Sequence, residues 1–250
     1  MNYQNTYRLD DWNSSIIEWD MKSANTSICK EYGLLPLETI RRIESMHKSK
    51  RERAIGLIGQ KDKEFMKALE SKFDEVMKIF IEQNDLDLDW DVISIRKDAA
   101  FIINREVHYP KVGKYIVFRQ KGIYSHHLYL NPYDIYINSD TIDVKGINDK
   151  ILPLHENGIL SLLRMIAICE GSTEPKKQLN ELFSDFVLSY KERLLDYDYY
   201  REFNPSSKFK INLFGEEMLI DSIDTEDLLA QVDISYNYEK IILPLIRLLR

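Results

Sequence analysis

The chain has 250 residues, of which 44% are hydrophobic and 30% are charged, and its net charge is −7. This composition is ordinary for a globular protein, and the length allows one large domain or two small ones. No apolar run reaches the roughly 18–20 residues that span a bilayer, and the N-terminus lacks the basic-then-apolar order of a signal peptide. The two cysteines are expected to pack as small hydrophobes in a reducing compartment. We therefore expect a cytoplasmic protein with no membrane partner.

The basic residues are unevenly distributed along the chain. Between Arg41 and Lys67, nine basic residues stand against four acidic ones, so this segment carries +5 and the rest of the chain −12. A local basic stripe can hold phosphate groups even on an acidic protein. A solvated helix face accounts for the same pattern, so the stripe alone leaves both interpretations open.

The N-terminal third of the sequence changes from a strand pattern to helical patterns. Residues 15–20 form an apolar, β-prone run, and residues 23–33 follow with helical periodicity. Apolar residues at helical spacing predict two further helical stretches, over residues 36–53 and 61–84. Together these patterns predict a helical insertion at about residues 34–84.

Strand patterns return after the acidic loop that ends at Asp91. The runs 92–95 and 100–103 flank Asp98, which predicts a hairpin with this residue near its turn. Further strand candidates lie at residues 115–119, 125–130, 134–137 and 141–145. Helical periodicity returns at residues 159–169, 179–195 and 238–249. The sequence thus predicts an α+β body over residues 1–150 and a helical C-terminal part over residues 151–250.

The segment Asp20-Met21-Lys22-Ser23-Ala24-Asn25-Thr26-Ser27-Ile28 joins the first predicted strand to the first helix. A carboxylate at a strand end, with hydroxyl and amide side chains behind it, suits a divalent metal and a bound triphosphate. The order of residues resembles the first catalytic motif of family B DNA polymerases, Asp-x-x-Ser-Leu-Tyr-Pro-Ser-Ile. The resemblance implies that Asp20 binds metal and that Ser23 and Asn25 contact the nucleotide. Asn25 stands where the family has an aromatic residue that excludes a 2′-hydroxyl, so discrimination between dNTP and rNTP is expected to be poor.

The segment Arg96-Lys97-Asp98-Ala99-Ala100-Phe101 resembles the third motif of the same family, Asp-Thr-Asp-Ser-x-Phe. Asp98 matches the second, metal-binding aspartate, whereas Arg96 replaces the first. Nucleotidyl transfer commonly uses two Mg²⁺ ions about 3.5–4 Å apart, and a pair of carboxylates is sufficient when waters and phosphates complete the coordination. We therefore expect Asp20 and Asp98 on adjacent strands, binding Mg²⁺ or Mn²⁺ as the catalytic residues.

Three shorter segments continue the family's order. Residues 51–59 are loosely similar to its Lys-x-x-x-Asn-Ser-x-Tyr-Gly helix, which implies that Arg51 binds the triphosphate and that Gly56 lies by the nascent base pair; Lys50, Arg53 and Lys61 are alternatives for the cation. Residues 111–115 are similar to a Lys-Lys-x-Tyr element, and residues 143–147 to a Lys-Gly-(Ile/Val) element. The resemblance implies that Lys114, Tyr115 and Lys145 bind the nucleic-acid backbone.

Taken together, the resemblance implies a polymerase-like palm with an antiparallel sheet and helical fingers, followed by a mostly helical thumb-like part. The expected activity is DNA polymerase-like, template-directed nucleotidyl transfer on a primer-template with nucleoside triphosphates, as in viral or phage DNA replication in the host cytoplasm. Only nineteen residues precede Asp20. Proofreading is therefore not expected, and a second chain could supply the missing domains.

Two other functions are compatible with the same residues. A non-catalytic palm that binds nucleic acid or a partner protein fits the acidic net charge and the cation Arg96. A metal-dependent nuclease fits Asp20-Met21-Lys22, which resembles the acid-x-Lys unit of PD-(D/E)xK nucleases, with Asp10 or Asp11 as a second ligand. Nucleotide incorporation and nucleic-acid cleavage assays distinguish these alternatives.

Overall fold

The computed structural model describes residues 2–4, 15–103, 105–130, 133–147, 152–169, 175–201, 210–213, 216–219 and 237–248. The chain forms two compact units, and the described part of unit 2 begins at Ser125, directly after Tyr124 of unit 1. The sequence predicted a division near residue 150. The division comes earlier because the strands after Ser125 share a hydrophobic core with the C-terminal helices.

Unit 1 contains the strands β1 (Asn2–Gln4), β2 (Ile16–Met21), β3 (Val92–Arg96), β4 (Ala99–Ile103) and β5 (Phe118–Tyr124). They form one antiparallel sheet in the order β1-β3-β4-β2-β5. β3 and β4 are joined by the two residues Lys97 and Asp98, and Lys97 has a left-handed backbone with φ of 52°. The predicted hairpin with Asp98 at its turn is confirmed.

Four helices connect β2 to β3: α1 (Ala24–Tyr32), α2 (Leu37–Glu44), α3 (Lys48–Lys61) and α4 (Lys63–Gln83). The sequence predicted a single helical stretch over residues 36–53; the structure has α2, a short break and then α3, which continues to Lys61. The amphipathic helix predicted over residues 61–84 is confirmed as α4. Its apolar side packs on the sheet, where the rings of Phe80 and Phe118 stack with centroids 3.9 Å apart. This packing anchors the helical insertion to the sheet.

The ends of these helices follow from local chemistry. The Asp62 side chain accepts the backbone N–H of Phe65 at 2.9 Å, which caps the start of α4. Gly33 ends α1 in a left-handed conformation with φ of 64°, which glycine adopts without steric cost. Within the core of unit 1, Cys29 is a buried free thiol, and burial raises its pKa to about 11.

Unit 2 contains an antiparallel sheet of three strands in sequence order, β6 (His126–Leu130), β7 (Tyr133–Ile137) and β8 (Ile142–Lys145). One face of this sheet is apolar and packs in one core with helices of the same unit. In its described residues, unit 2 contains the helices α5 (Ile159–Cys169), α6 (Pro175–Lys191) and α7 (Leu243–Leu248). The described residues also form a separate two-stranded antiparallel sheet, β9 (Lys210–Leu213) and β10 (Glu216–Leu219), which the sequence did not predict.

The chain is therefore an α+β protein with antiparallel sheets, as expected. The helices predicted at residues 159–169 and 179–195 are confirmed as α5 and α6, although α6 begins at Pro175 and ends at Lys191. The last predicted helix begins with a π-helical turn at Tyr238–Ile242 and continues as α7. Among the described residues, no helix combines the length and the apolar character needed to cross a membrane.

Candidate functional site

The two predicted metal ligands, Asp20 and Asp98, come together at one end of the unit 1 sheet. Asp20 on β2 pairs directly with Ala99 on β4, and the backbone N–H of Met21 donates to the Asp98 carbonyl at 2.9 Å. Both aspartates line the same cleft, which has a volume of about 240 Å³. The structure thus brings together two residues that are far apart in the sequence.

The electrostatic environment of the pair is unfavourable for two free carboxylates. Burial raises the pKa of the Asp98 carboxyl, and the nearby negative charge of Asp20 raises it further. The backbone of Asp98 and the cations Lys97 and Lys121 act in the opposite direction and reduce this rise in pKa. Like charges held close in a partly buried site repel each other, and a divalent cation between them removes the repulsion. The pair therefore has the oxygen donors and the excess negative charge that suit Mg²⁺.

Two cations from β5 flank Asp20 without bonding to it closely. Arg119 Nη2 lies 3.7 Å from Asp20 Oδ2, and Lys121 Nζ lies 3.9 Å from Asp20 Oδ1. Both distances exceed those of hydrogen bonds, so the cations compensate the charge without engaging the carboxylate oxygens in hydrogen bonds. The Asp20 side chain keeps 18% of its surface exposed. Its oxygens remain accessible to a ligand that enters the cleft.

A third carboxylate, which the sequence did not single out, lies behind Asp20. Glu18 is 1% exposed, and its carboxylate accepts hydrogen bonds from Lys121 Nζ at 2.9 Å and from the Tyr124 hydroxyl at 3.0 Å. The sequence could have indicated Glu18, because a residue two positions before Asp20 has its side chain on the same face of the strand. Gly122 leaves room for this arrangement, since a Cβ there would lie 2.7–2.9 Å from atoms of the Tyr124 side chain.

Lys121 owes its position to a β-bulge in β5. The register between β2 and β5 shifts between Glu18 and Trp19, and Lys121 is the extra residue outside the paired register. In a regular strand, Arg119 and Tyr124 would point to opposite faces because side chains alternate. The bulge changes this alternation, so both side chains reach carboxylates of β2. The single-residue bulge thus assembles the charged cluster.

The first turn of α1 forms part of the cleft wall. Ser23, which has a left-handed backbone with φ of 50°, turns the chain from β2 into the helix. Ser23, Asn25 and Thr26 line the cleft together with Ala24. The first backbone N–H bonded within the helix is that of Ser27, so the N–H groups of the preceding residues lie in the turn where helices bind anions. The predicted nucleotide contacts Ser23 and Asn25 are therefore beside the aspartates.

The opposite wall of the cleft is formed by α3. Arg51, the first choice for a triphosphate-binding cation, lines the cleft. Lys48 and Glu52 line it too, and the sequence analysis selected neither of them. Lys48 precedes Arg51 by three residues and shares its side of the helix. Its orientation follows from the burial of Ile55, seven residues later on the same side of α3, which only the structure shows.

The other residues proposed for the nucleotide do not line the cleft. Lys50, Arg53 and Lys61 are exposed on the side of α3 opposite to Ile55, so helical geometry turns their side chains away from the aspartates. The structure therefore does not bring these three cations into the cleft beside Asp20 and Asp98. Gly56 faces open space, since a Cβ there would meet no atom within 4 Å. Gly56 is not among the residues that line the cleft.

The residues predicted to bind the nucleic-acid backbone lie in different surroundings, and none of them lines the cleft. The backbone N–H groups of Lys114 and Tyr115 donate to the Glu31 carboxylate at 3.1 Å and 2.7 Å. Tyr115 is 40% exposed, and Lys114 Nζ lies 5.2 Å from the centre of its ring. Lys145 belongs to unit 2 and forms an ion pair with Asp143 at 2.7 Å. The sequence therefore grouped residues that the fold assigns to two units.

Asp20 and Asp98 would not fill the coordination shell of a metal ion by themselves. Among the described residues, no group of three or more His, Cys, Asp or Glu side chains is arranged to hold a metal ion. Asp10 and Asp11, the second ligands of the nuclease hypothesis, lie outside the described residues. A cation bound by Asp20 and Asp98 would need waters or substrate oxygens to complete its coordination, which is the usual situation for Mg²⁺.

The chain matches the model of a known protein family. All of residues 1–250 match the model of a protein family described as the bacteriophage PBS1 gene 130 protein. The description agrees with the phage origin expected from the sequence, and it names no activity. No curated protein matches the chain significantly.

Proposed function

We propose that this chain, which belongs to the bacteriophage PBS1 gene 130 protein family, is a metal-dependent, template-directed nucleotidyltransferase of the DNA polymerase type. One observation carries the proposal: Asp20 and Asp98 converge in a cleft whose walls are the first turn of α1 and the cationic side of α3. Carboxylates for metal, a helix N-terminus and cations for phosphate are the parts that phosphoryl chemistry requires.

The order of elements in unit 1 supports this proposal. The strand that bears Asp20 is interior to the sheet and pairs with the hairpin strand β4, which follows Asp98. All four helices of the insertion lie between these two motifs in the chain. A polymerase-like palm with helical fingers requires this succession of strand, helices and hairpin. Unit 2, with its three helices in the described residues, is our candidate for the thumb.

In the proposed reaction, Asp20 and Asp98 hold Mg²⁺ or Mn²⁺ through their carboxylate oxygens. The bound ions would lower the pKa of the attacking 3′-hydroxyl and stabilise the departing pyrophosphate. Asp98 has to be ionised to bind a cation, and Lys121 favours the ionised form because its positive charge lowers the pKa of Asp98. Arg119 faces the same carboxylate pair and is free to turn toward a phosphate, since 60% of its side chain is exposed.

The triphosphate is bound between the two walls of the cleft. Lys48 and Arg51 neutralise its negative charge from α3, and the N–H groups at the start of α1 donate hydrogen bonds from the other side. Asn25 lines the cleft with a polar side chain instead of an aromatic ring. A polar residue there does not exclude a 2′-hydroxyl, so the enzyme is expected to incorporate rNTPs as well as dNTPs.

The position of Arg96 is compatible with a catalytic site at Asp20 and Asp98. Arg96 is the partner of Ala99, which in turn pairs with Asp20, so Arg96 and Asp20 are two strand spacings apart, or about 10 Å. Arg96 is not among the residues that line the cleft, nor among the charges that shift the pKa of Asp98. Arg96 therefore does not block the carboxylate oxygens of Asp20 and Asp98.

The test is incorporation of a labelled nucleotide on a primed template with Mg²⁺ or Mn²⁺. Asp98→Asn keeps the size of the side chain and removes its charge, and it is expected to lower the rate about a thousandfold or more, which corresponds to at least about 4 kcal/mol. Glu70→Gln is the matched control, because it removes one exposed carboxylate from α4, away from the cleft. Absence of incorporation by the unmodified protein on DNA and RNA templates, or full activity of Asp98→Asn, would refute the proposal.

The nuclease alternative is tested with the same proteins. Incubation of circular single-stranded and double-stranded DNA with metal detects cleavage without any nucleotide. We expect none, because the lysine of the acid-x-Lys unit, Lys22, is exposed and is not among the residues that line the cleft. If the protein cleaved DNA and Asp20→Asn abolished the cleavage, the function of the site would be hydrolysis and not nucleotidyl transfer.

A further inference from the structure

The outer side of α3 carries a row of cations that the proposed reaction does not use. We define the outward face of α3 as the residues Lys50, Arg53, Leu57 and Lys61. These residues recur at intervals of three or four, so they lie on one side of the helix. All four are exposed, and Leu57 is 47% exposed. Arg51 and Lys48 lie on the other side of the same helix, toward the cleft.

The acidic residues of this region do not neutralise the outward face. Four acids lie between Arg41 and Lys67, and each has another role. Glu44 pairs with Lys30 at 2.7 Å, and Glu64 pairs with Lys67 at 3.0 Å. Asp62 caps α4 through the N–H of Phe65, and Glu52 lines the cleft. The positive charge of the outward face is therefore uncompensated by its neighbours in the chain.

We infer that the outward face of α3 binds the phosphodiester backbone of nucleic acid. Lys50 and Lys61 are eleven residues apart, which is about 16 Å along a helix. One strand of duplex DNA places a phosphate about every 3.4 Å along its axis, so this length spans about five phosphates. A polyanion of regular spacing is the partner whose charge complements such a row on a protein of net charge −7.

The composition of α3 also indicates how the strand is recognised. The helix contains no aromatic residue, so it offers no ring on which a base could stack. Its contacts are with phosphates, supplemented by the apolar side chain of Leu57 against a sugar. Binding to this face is therefore independent of base sequence and strongly dependent on salt.

This inference extends the proposed function, because it separates two roles on one helix. The cleft side of α3 faces the nucleotide, while the outward face holds a nucleic-acid strand outside the cleft. The charges of the outward face do not depend on catalysis, however, so binding is measured in EDTA without nucleotide. A failure of the catalytic proposal then leaves the binding result interpretable by itself.

The experiment compares two triple variants by fluorescence anisotropy. The first, Lys50→Gln with Arg53→Gln and Lys61→Gln, removes three charges from the outward face. The second removes three lysines of α4 that each pair with a glutamate three or four residues away: Lys67→Gln, Lys72→Gln and Lys78→Gln. The change in net charge is the same in both. Circular dichroism confirms that each variant remains folded.

We expect the outward-face triple to bind labelled single-stranded DNA roughly tenfold more weakly than the unmodified protein at low salt. The slope of log K against log salt should become flatter by about two, since about 0.7 counterion is released for each phosphate contact on a single strand. The α4 triple should change affinity by less than about threefold. Separate single-stranded DNA, single-stranded RNA and duplex samples identify which backbone is preferred.

Three results would overturn the inference. One is the absence of binding to all of these nucleic acids by the unmodified protein. Another is an equal loss of affinity in the two triple variants, since this would reflect net charge and not a surface. The third is binding to vesicles that contain anionic lipid in the absence of binding to any nucleic acid, which would assign the face to a membrane surface.

Discussion

Both units contain an antiparallel sheet with an acidic residue among polar side chains, yet the two surroundings differ. In unit 1, Asp20 is 18% exposed in a cleft, and its nearest cations lie at 3.7–3.9 Å. In unit 2, Asp134 has no exposed surface. Its carboxylate contacts the His127 Nε2 atom and accepts a hydrogen bond from the Tyr136 hydroxyl at 3.1 Å.

The unit 2 cluster is a satisfied buried network. His127 and Tyr136 are cross-strand partners on β6 and β7, and their ring centres are 4.7 Å apart. Both side chains are buried beside Asp134. A buried carboxylate of this kind holds its partners rigidly, and it has little capacity to accept an external ligand. The comparison indicates that the closed cluster contributes stability and that the open pair in unit 1 is available for binding.

The largest expected effect on stability comes from breaking the closed cluster. His127→Ala removes one partner of the buried Asp134 side chain and is expected to lower the free energy of unfolding by about 3–5 kcal/mol, because Asp134 then stays in the interior without its imidazole partner. Urea denaturation followed by circular dichroism measures this change. Arg119→Ala, which removes a cation from the open pair, should cost less than about 1 kcal/mol. Equal costs in the two variants would contradict the comparison.

A smaller effect is expected for the tyrosine hydroxyls. Tyr136→Phe removes the hydrogen bond to Asp134 and should lower the free energy of unfolding by about 1–3 kcal/mol. Tyr124→Phe is the matched change in unit 1, where the hydroxyl donates to Glu18. It should cost less, since the partner that Glu18 keeps is the ammonium group of Lys121 at 2.9 Å, whereas Asp134 keeps an imidazole, and hydrogen bonds from charged donors are the stronger ones. Thermal and urea unfolding of both variants test the order, and a larger loss in Tyr124→Phe would reverse it.

In the open pair, Asp20 and Asp98, removal of a charge should raise stability instead of lowering it. Because the pKa of Asp98 is raised by burial and by Asp20, its protonated form stabilises the fold, and this contribution is lost as pH rises through the raised pKa. Asp98→Asn is therefore expected to increase thermal stability at neutral pH in EDTA. The gain should disappear as pH falls below the ordinary pKa of an aspartate. Unfolding temperatures across this pH range measure it, and a variant less stable than the unmodified protein at neutral pH would disprove it.

The smallest predicted effect concerns metal affinity. Arg119 lies near Asp20 and opposes an incoming cation by its charge, so Arg119→Gln should bind Mn²⁺ about two- to fivefold more tightly, consistent with an exposed pair worth about 0.2–1 kcal/mol. Electron paramagnetic resonance titration gives the affinity directly. Arg105→Gln, which removes the cation of an exposed pair with Asp85 at 3.1 Å, is the control. Weaker Mn²⁺ binding by Arg119→Gln would mean that Arg119 positions Asp20 for the metal.

Some features of the fold were predictable because they depend on neighbouring residues. The periodicity of α4 follows from apolar residues at helical spacing, and Asp98 in its hairpin turn follows from the short polar stretch between two apolar runs. The division between the units was not predictable in this way. Strands β6 to β8 resemble those of unit 1 in sequence pattern, and only their packing with later helices assigns them to unit 2.

The candidate site was predictable only in part for the same reason. Arg51 was selected because it matched a motif, whereas Lys48 was missed because its position depends on which side of α3 faces the cleft. Lys121 joins the charged cluster through a bulge that no local pattern indicated. Hydrogen bonding between strands decides such registers, and strand pairing is a long-range interaction.

The order of residues was enough to predict the α+β class from local periodicity, and to predict from the order of two motifs that Asp20 and Asp98 come together. It was also enough to locate the basic segment from Arg41 to Lys67, although not its orientation. The tertiary structure alone decided that some of these cations face the cleft and others face outward. Helix rotation and strand register are determined by which apolar side chains are buried, and burial is a property of the whole packed unit.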